Sequence, residues 1–324
     1  AMEKHSLQSC CDAQIPFFAV IDFEANTLVH ALDVSSLKKE NNSRSGSIRL
    51  NGQNLHFRFA NPQPLRQRFA LQRVNPPDKA HTLLTIQQLQ KHLHEGYSYL
   101  VNYCTQTGVK LPLSPMELFL QSTAPFTIYY ENEFVAFSPE AFVSVEGDTI
   151  CATPMKGTGY IKEELLASTK EQAEHATVVD LLRNDLARVA KEVRIENYRY
   201  ITEIPQADGR TLYQTSTAIC GTMPPDWRRS IPIWLPHLLP AGSVTGAPKR
   251  ETVSLIRRYE TEPRGFYTGI AALFDGENFY SCVLIRYIDL RTQPYQFRSG
   301  VGITIYSDAE AEYEEILQKV YIPL

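Results

Sequence analysis

Glu171 and Glu174 stand three residues apart, and Glu312 and Glu315 repeat that spacing near the other end of the chain. On helices this spacing places both carboxylates of a pair on one face, with Asp185 further along the first face and Lys319 one turn beyond Glu315. In solvent such pairs are ordinary surface, since like charges so placed cost only about 0.2–0.5 kcal/mol. Facing each other across a cleft, the four carboxylates would repel strongly unless a divalent cation sat between them. Oxygen donors without His or Cys select Mg²⁺ over zinc.

Other chemistry-bearing residues are more ambiguous. Lys156 stands in Thr153-Pro-Met-Lys-Gly-Thr158. It is either a solvated turn residue or, if desolvated beside a substrate, a nucleophile able to lose its proton. Pro240-Ala-Gly-Ser-Val-Thr-Gly-Ala-Pro-Lys249 is rich in small residues, but Pro248 replaces the glycine that a phosphate-binding loop needs before its lysine. Gly300 and Gly302 lack the third glycine of a dinucleotide fingerprint, with Ile305 in that place. Both segments instead suit close backbone approach and anion binding through N–H groups. Arg286 is a carboxylate partner or a sheet ion-pair residue, expected on the middle strand of a meander. GxSxG and HExxH are absent, and His92 and His94 fall on different sides of a helix.

The elements that must hold these residues can be sketched from periodicity. Ile15 to Phe23 is apolar and aromatic, as a buried strand is. Ser47 to Ala60 carries Asn51-Gly52, the chemistry of a tight hairpin turn, after an exposed loop expected at Lys38 to Ser45. Asn61 to Asp78, with four prolines, reads as an irregular connection. A helix is expected over Leu83 to Glu95, stopping at Gly96, followed by a strand over Ser98 to Cys104. Ser114-Pro115 with Glu117 forms a capping box. Thr127 to Ile150 alternates through two turns as antiparallel sheet. A long helix is expected from Thr169 to Val193, capped by Ser168. Three strands are expected within Gly269 to Tyr306, then a last helix capped by Ser307 and Glu310. This order predicts an α+β fold without repeated βαβ units, forming one domain over 2–324.

The 324 residues carry 32 Lys+Arg and 36 Asp+Glu, a net charge of -4, with the basic residues scattered. Nucleic acid is not an expected partner. No apolar run reaches the roughly 20 residues of a membrane helix, and no signal pattern opens the chain, so a cytoplasmic location is expected. Met2, after Ala1, is the expected natural start. Six widely spread cysteines fit neither zinc nor CxxC spacing, and free thiols are expected.

Together, Pro154-Met-Lys-Gly-Thr158, Glu174-His-Ala-Thr-Val-Val-Asp-Leu-Leu-Arg-Asn-Asp-Leu186, Gly242-Ser-Val-Thr-Gly-Ala-Pro-Lys249, Arg264-Gly-Phe-Tyr-Thr-Gly269, Ile285-Arg286, Gly300-Val-Gly-Ile303 and Glu312-Tyr-Glu-Glu315 resemble, in order, the motifs of the chorismate-utilising family. The resemblance spans about Leu83 to Leu324, with residues 2–80 a shortened N-terminal part and 81–324 the motif-bearing part. It implies two large antiparallel sheets packed face to face with helices outside. Lys156 resembles the aminodeoxychorismate synthase branch, where anthranilate synthases have alanine. The implied reaction is Mg²⁺-dependent amination of chorismate to 4-amino-4-deoxychorismate, for 4-aminobenzoate and folate synthesis. Anthranilate synthesis and a catalytically silent chorismate-binding role are the alternatives.

By the same resemblance, Glu174 and Glu315 would bind Mg²⁺, supported by Glu171 and Glu312. Arg286, Tyr267 and the Gly300 and Gly302 backbone would hold the enolpyruvyl carboxylate, while Thr245, Lys319 and Gln214 would line the cavity. Lys156 would attack ring carbon 2 as the 4-hydroxyl leaves, and ammonia from a separate glutamine amidotransferase subunit would then expel it. The LLES segment that helps form a tryptophan pocket in longer relatives is not found, so tryptophan inhibition is not expected. Departures are Leu100, in place of Gln or of the water-activating Lys of isochorismate-forming members, and Gln214 in place of His. Gly159-Tyr160, Ala241 and Tyr287 also differ from common family residues.

Overall fold

The computed structural model describes residues 2–31, 37–41, 43–60 and 68–324. The apolar strand Phe17–Ile21 is buried along its whole length, as a strand covered on both faces must be. It pairs antiparallel with Ile270–Phe274 on one side and with Leu28–Ala31 on the other. Among the described residues this sheet has nine strands, and beyond Ile270–Phe274 it continues through Phe279–Val283, Ala141–Glu146, Thr149–Ala152 and Thr211–Thr222. A second sheet, of ten strands among the described residues, is centred on Leu100–Lys110, Tyr295–Ile303, Tyr287–Asp289 and Phe134–Ser138.

The sheets face each other through Phe18 and Val20 of the first and Leu55, Phe57, Ile128 and Ala136 of the second. Phe18 stacks on Phe57 at 4.2 Å between ring centroids. Each aromatic buried this way contributes roughly 1.5–3 kcal/mol. Helices close the outer faces: Thr169–Leu186 packs Val178, Val179 and Leu182 beneath the first sheet, and Lys79–His94 packs Ile86 and Leu89 against Val101 and Val301 of the second. The expected α+β architecture of two antiparallel sheets with outer helices is observed.

Local chemistry sets several boundaries. Asn51 and Gly52 both take positive φ, 50° and 80°, closing the hairpin Ser43–Leu50 to Gln53–Ala60. The Ser114 and Glu117 capping box forms in both directions. The helix expected from Leu83 begins instead at Lys79, because the Asp78 carboxylate caps the His81 N–H. The long helix stops at Leu186, seven residues before Val193, which belongs to the strand Lys191–Pro205 paired with Thr211–Thr222.

The last helix, Ala309–Gln318, is capped by Asp308; the Ser307 hydroxyl instead accepts the Thr304 N–H. Lys38–Glu40 and Ser43–Leu50 pair as strands where a loop was expected. In the Pro-rich connection, 61–67 lie outside the described residues, while Arg68–Ala70 and Gln72–Asn75 are strands. A helix over Met2–Ala13, not among the expected elements, precedes the first strand. Four strands, not three, occupy Gly269 to Tyr306, because the chain crosses between sheets at Arg286. Cys151 and Cys220, directly opposite on paired strands, form a disulfide, correcting the free-thiol expectation for that pair. Cross-strand proximity of residues 69 apart in sequence is invisible to spacing rules.

Candidate active site

A cavity of about 680 Å³ opens where the strand Met155–Gly159, the two acidic helices and the crossover at Arg286 meet. Its strand Met155–Gly159 pairs with Thr211–Thr222, but the register shifts between Met155 and Thr158, so Lys156 and Gly157 leave the regular ladder. Thr215 donates its hydroxyl to the Lys156 carbonyl and holds this bulge. Gly157 has φ 93°, and a Cβ there would sit 2.7 Å from a Glu171 carboxylate oxygen, so only glycine fits. His175, on the helix beneath, contacts the Lys156 backbone. Burial pushes its imidazole down to about 4, leaving it neutral.

The acidic faces of Thr169–Leu186 and Ala309–Gln318 do face each other. They converge on the ammonium of Lys170, which pairs with Glu312, with Glu315 at 3.5 Å and with Glu174 at 3.7 Å. Lys319 bonds Glu315 at 3.0 Å and donates to the Gly300 carbonyl at 2.8 Å. Burial alone would lower Lys170, but the surrounding carboxylates outweigh it and hold the ammonium charged. Burial raises Glu174. Burial likewise raises Glu312, whereas the ammonium groups of Lys319 and Lys170 outweigh it at Glu315 and hold that carboxylate ionised.

Glu174 and Glu312 are 5% and 1% exposed, and each keeps one buried carboxylate oxygen without a hydrogen-bond partner. An unsatisfied buried carboxylate oxygen is costly and calls for a further ligand. A Cβ at Gly302 would lie 2.5 Å from Glu174 Oε2, so the glycine makes room for this carboxylate. Among the described residues the acids do not form a preassembled metal cage. The all-oxygen donor set nevertheless fits Mg²⁺, with Glu174 and Glu315 on the cavity wall and Glu312 buried behind Lys170. Glu171 also lines the cavity, directed at Gly157. Asp185, three turns along, is drawn away into a buried pair with Lys249 at 2.5 Å.

The other end of the cavity is cationic. Arg286 has φ 49°, an uncommon conformation for a residue with a Cβ, imposed where the chain passes from one sheet to the other. It therefore does not project from a meander strand. Tyr267, Gln214, Gly300 and Gly302 line the same space. Thr245 does not: its hydroxyl donates to the Ala241 and Gly242 carbonyls of its own turn, and neighbouring Ser243 and Val244 face the cavity instead. Leu100 is buried in the apolar core outside the cavity wall.

Sequence reasoning missed Glu140, Asn102, Arg298 and Ser299, all on the cavity wall. Glu140 follows Ser138-Pro139 at a strand end, where Ser138 accepts its N–H, and the only sequence signal was a lone acid between apolar strands. It is 7% exposed. Burial pushes its carboxyl up to about 7 despite Lys156 nearby, a hydrogen bond with Ser243, and Arg286. A buried acid near neutrality beside a lysine amine can exchange protons with it.

The cavity wall thus carries carboxylates, arginines and the lysine of the Met155–Gly159 strand together, a lining suited to a small anion. The profile of chorismate binding enzymes matches residues 13–324, and the chain belongs to that family. An uncharacterized PabA-like protein of Pasteurella multocida is 46% identical over 73% of this chain and 74% of its own length. Another, from Haemophilus influenzae, is 39% identical over 95% of this chain and 92% of its own. The structure of the menaquinone-specific isochorismate synthase of Escherichia coli superposes with a TM-score of 0.72 at 18% identity, covering 98% of this chain and 80% of that one, which shows a shared fold. No helix among the described residues is long and apolar enough to cross a membrane.

Proposed function

We propose that this protein aminates chorismate at ring carbon 4, forming 4-amino-4-deoxychorismate, with ammonia delivered by a separate glutamine amidotransferase subunit. The observation that carries this reading is Lys156, placed on the wall of one cavity with Glu140, Glu174 and Arg286. The lysine favours amination through a covalent lysine intermediate over anthranilate synthesis. Leu100, apolar and outside the cavity, argues against water activation at that position.

Glu174 and Glu315, with Glu312 and Glu171 behind or beside them, would hold Mg²⁺. When bound, the ion supplies charge neutralisation for the ring carboxylate and Lewis acidity at the departing hydroxyl. Arg286 holds the enolpyruvyl carboxylate through its guanidinium fork, with Tyr267 beside it. Glu140 takes a proton from the Lys156 ammonium. The free amine forms a bond to carbon 2 while both conjugated ring double bonds shift and the carbon 4 to oxygen bond breaks. Glu140 returns its proton to the leaving oxygen, which departs as water. Ammonia then bonds carbon 4, both double bonds shift back, the carbon 2 to nitrogen bond breaks to release Lys156, and the proton shed by the new amine restores the Lys156 ammonium. The sum is chorismate plus ammonia giving aminated product plus water. Splitting one difficult displacement into two lowers each barrier.

The test is product identification by mass spectrometry after incubation with chorismate, Mg²⁺ and an ammonium salt. Formation of 4-amino-4-deoxychorismate is the expected result. Anthranilate with pyruvate overturns the assignment, and chorismate binding without turnover, with the amidotransferase present, assigns a non-catalytic role.

A further inference from the structure

Among the described residues three arginines line the cavity, Arg68, Arg286 and Arg298, and Arg68 lies outside the motifs that indicated the family. Arg68 lies on the short strand Arg68–Ala70, which pairs antiparallel with the strand Tyr321–Pro323 next to the last helix. The Leu71 N–H bonds the Val320 carbonyl and extends this tie. Two segments distant in sequence thus form a two-stranded sheet beside the cavity, and both Arg68 and Tyr321 line the cavity.

Tyr321 links two of these arginines. Its hydroxyl accepts from Arg286 Nη2 at 3.1 Å, and its ring has the Arg286 guanidinium carbon at 4.8 Å and the Arg68 guanidinium carbon at 4.4 Å from its centre. Among the described residues neither guanidinium forms an ion pair. Two like charges gathered on one phenol repel, and an arginine that lines a cavity without a carboxylate partner is poised for an anion from outside. The phenol partly relieves the repulsion: burial would raise it, but Arg286 and Arg68 outweigh burial and hold it below the usual tyrosine value. A smaller cavity runs on from the main one past Arg68, Gln214, Arg286 and Tyr321, so the pair stands at a junction and not in a sealed core.

We infer that Arg68 is a second guanidinium for the non-ring carboxylate of the substrate, held in place with Arg286 by Tyr321, so that the site selects dicarboxylates over ring monocarboxylates. This rests on the chorismate reading above. It adds a binding residue from the N-terminal part of the chain and makes Tyr321 a positioning residue.

Equilibrium binding of chorismate and of 4-hydroxybenzoate, a ring monocarboxylate lacking the enolpyruvyl group, tests it on the full chain with Mg²⁺ present. Arg68→Met keeps the aliphatic stem and should weaken chorismate binding about 10–100-fold, the range for loss of a charge-assisted contact, while 4-hydroxybenzoate binds as before. Arg68→Lys should recover part of the loss. Tyr321→Phe, which keeps the ring and frees Arg286, should raise KM for chorismate more than it lowers kcat. Unchanged chorismate affinity in folded Arg68→Met, with normal binding by the wild type, overturns the role of Arg68 and leaves the chorismate reading intact. An equal loss for both ligands marks a structural role and also overturns it. Failure of the wild-type protein to bind chorismate overturns both.

Discussion

Glu140→Gln separates the proton chemistry of the site from its shape, because glutamine keeps the size and the hydrogen bond to Ser243 but cannot ionise. Burial moves this carboxyl from an ordinary glutamate value of 4.5 to about 7, which corresponds to roughly 3 kcal/mol favouring its neutral form. Between those two values the folded protein keeps a proton that the unfolded chain has released. The neutral-form preference therefore contributes fully below about pH 4.5 and is lost as pH rises through about 7. Denaturant unfolding of wild type and Glu140→Gln at pH 5 and pH 8 should show the variant gaining roughly 2–3 kcal/mol relative to wild type at the higher pH. The comparison cancels the other buried carboxylates, which both proteins share. In parallel, amination should fall about 10²–10⁴-fold, the usual range for a lost general acid-base group. An identical pH dependence of stability in the two proteins, or wild-type turnover in the variant, would refute the assignment of Glu140 as the proton carrier.

Lys156→Ala should slow amination by orders of magnitude while chorismate affinity, measured by titration, changes little; wild-type turnover in that variant removes lysine from the mechanism. Glu315→Gln should weaken Mg²⁺ binding in calorimetry as well as activity, and an unchanged Mg²⁺ requirement would misplace the ion. Gly302→Ala places a methyl group 2.5 Å from Glu174 Oε2, so Mg²⁺ affinity should fall with little change in secondary structure by circular dichroism. Reduction of Cys151–Cys220, which closes a loop spanning 69 residues, should lower unfolding free energy by at most about 4 kcal/mol. Cys151→Ser/Cys220→Ser should match the reduced wild type and be insensitive to thiols.

Local rules read well where one residue and its near neighbours decide the outcome. Asn51-Gly52 closes its hairpin, the Ser114 and Glu117 box starts its helix, and the glutamates at three-residue spacing share faces. The motif order indicated the family and with it the paired sheets. Boundaries failed where tertiary pairing overrode local signals: the helix expected to reach Val193 gives way to the strand Lys191–Pro205, whose residues on either side of Val193, Lys191 and Arg194, pair with Thr222 and Cys220. Lys38–Glu40 looks like a polar loop yet finds an edge to pair with.

The amino-acid sequence by itself determined which side chains could do chemistry and on which faces of their helices they would stand, because periodicity and capping act over a few residues. Only the tertiary structure decided that Lys170 sits among the acids, that Thr245 turns inward to its own carbonyls, and that Glu140 shares a cavity with Lys156. It alone brought Arg68 and Tyr321 to one place, by pairing two short strands from opposite ends of the chain. The acidity of a buried carboxyl and the partner of an arginine depend on what surrounds them in space, and that surrounding is assembled from segments whose separation along the chain carries no local signal.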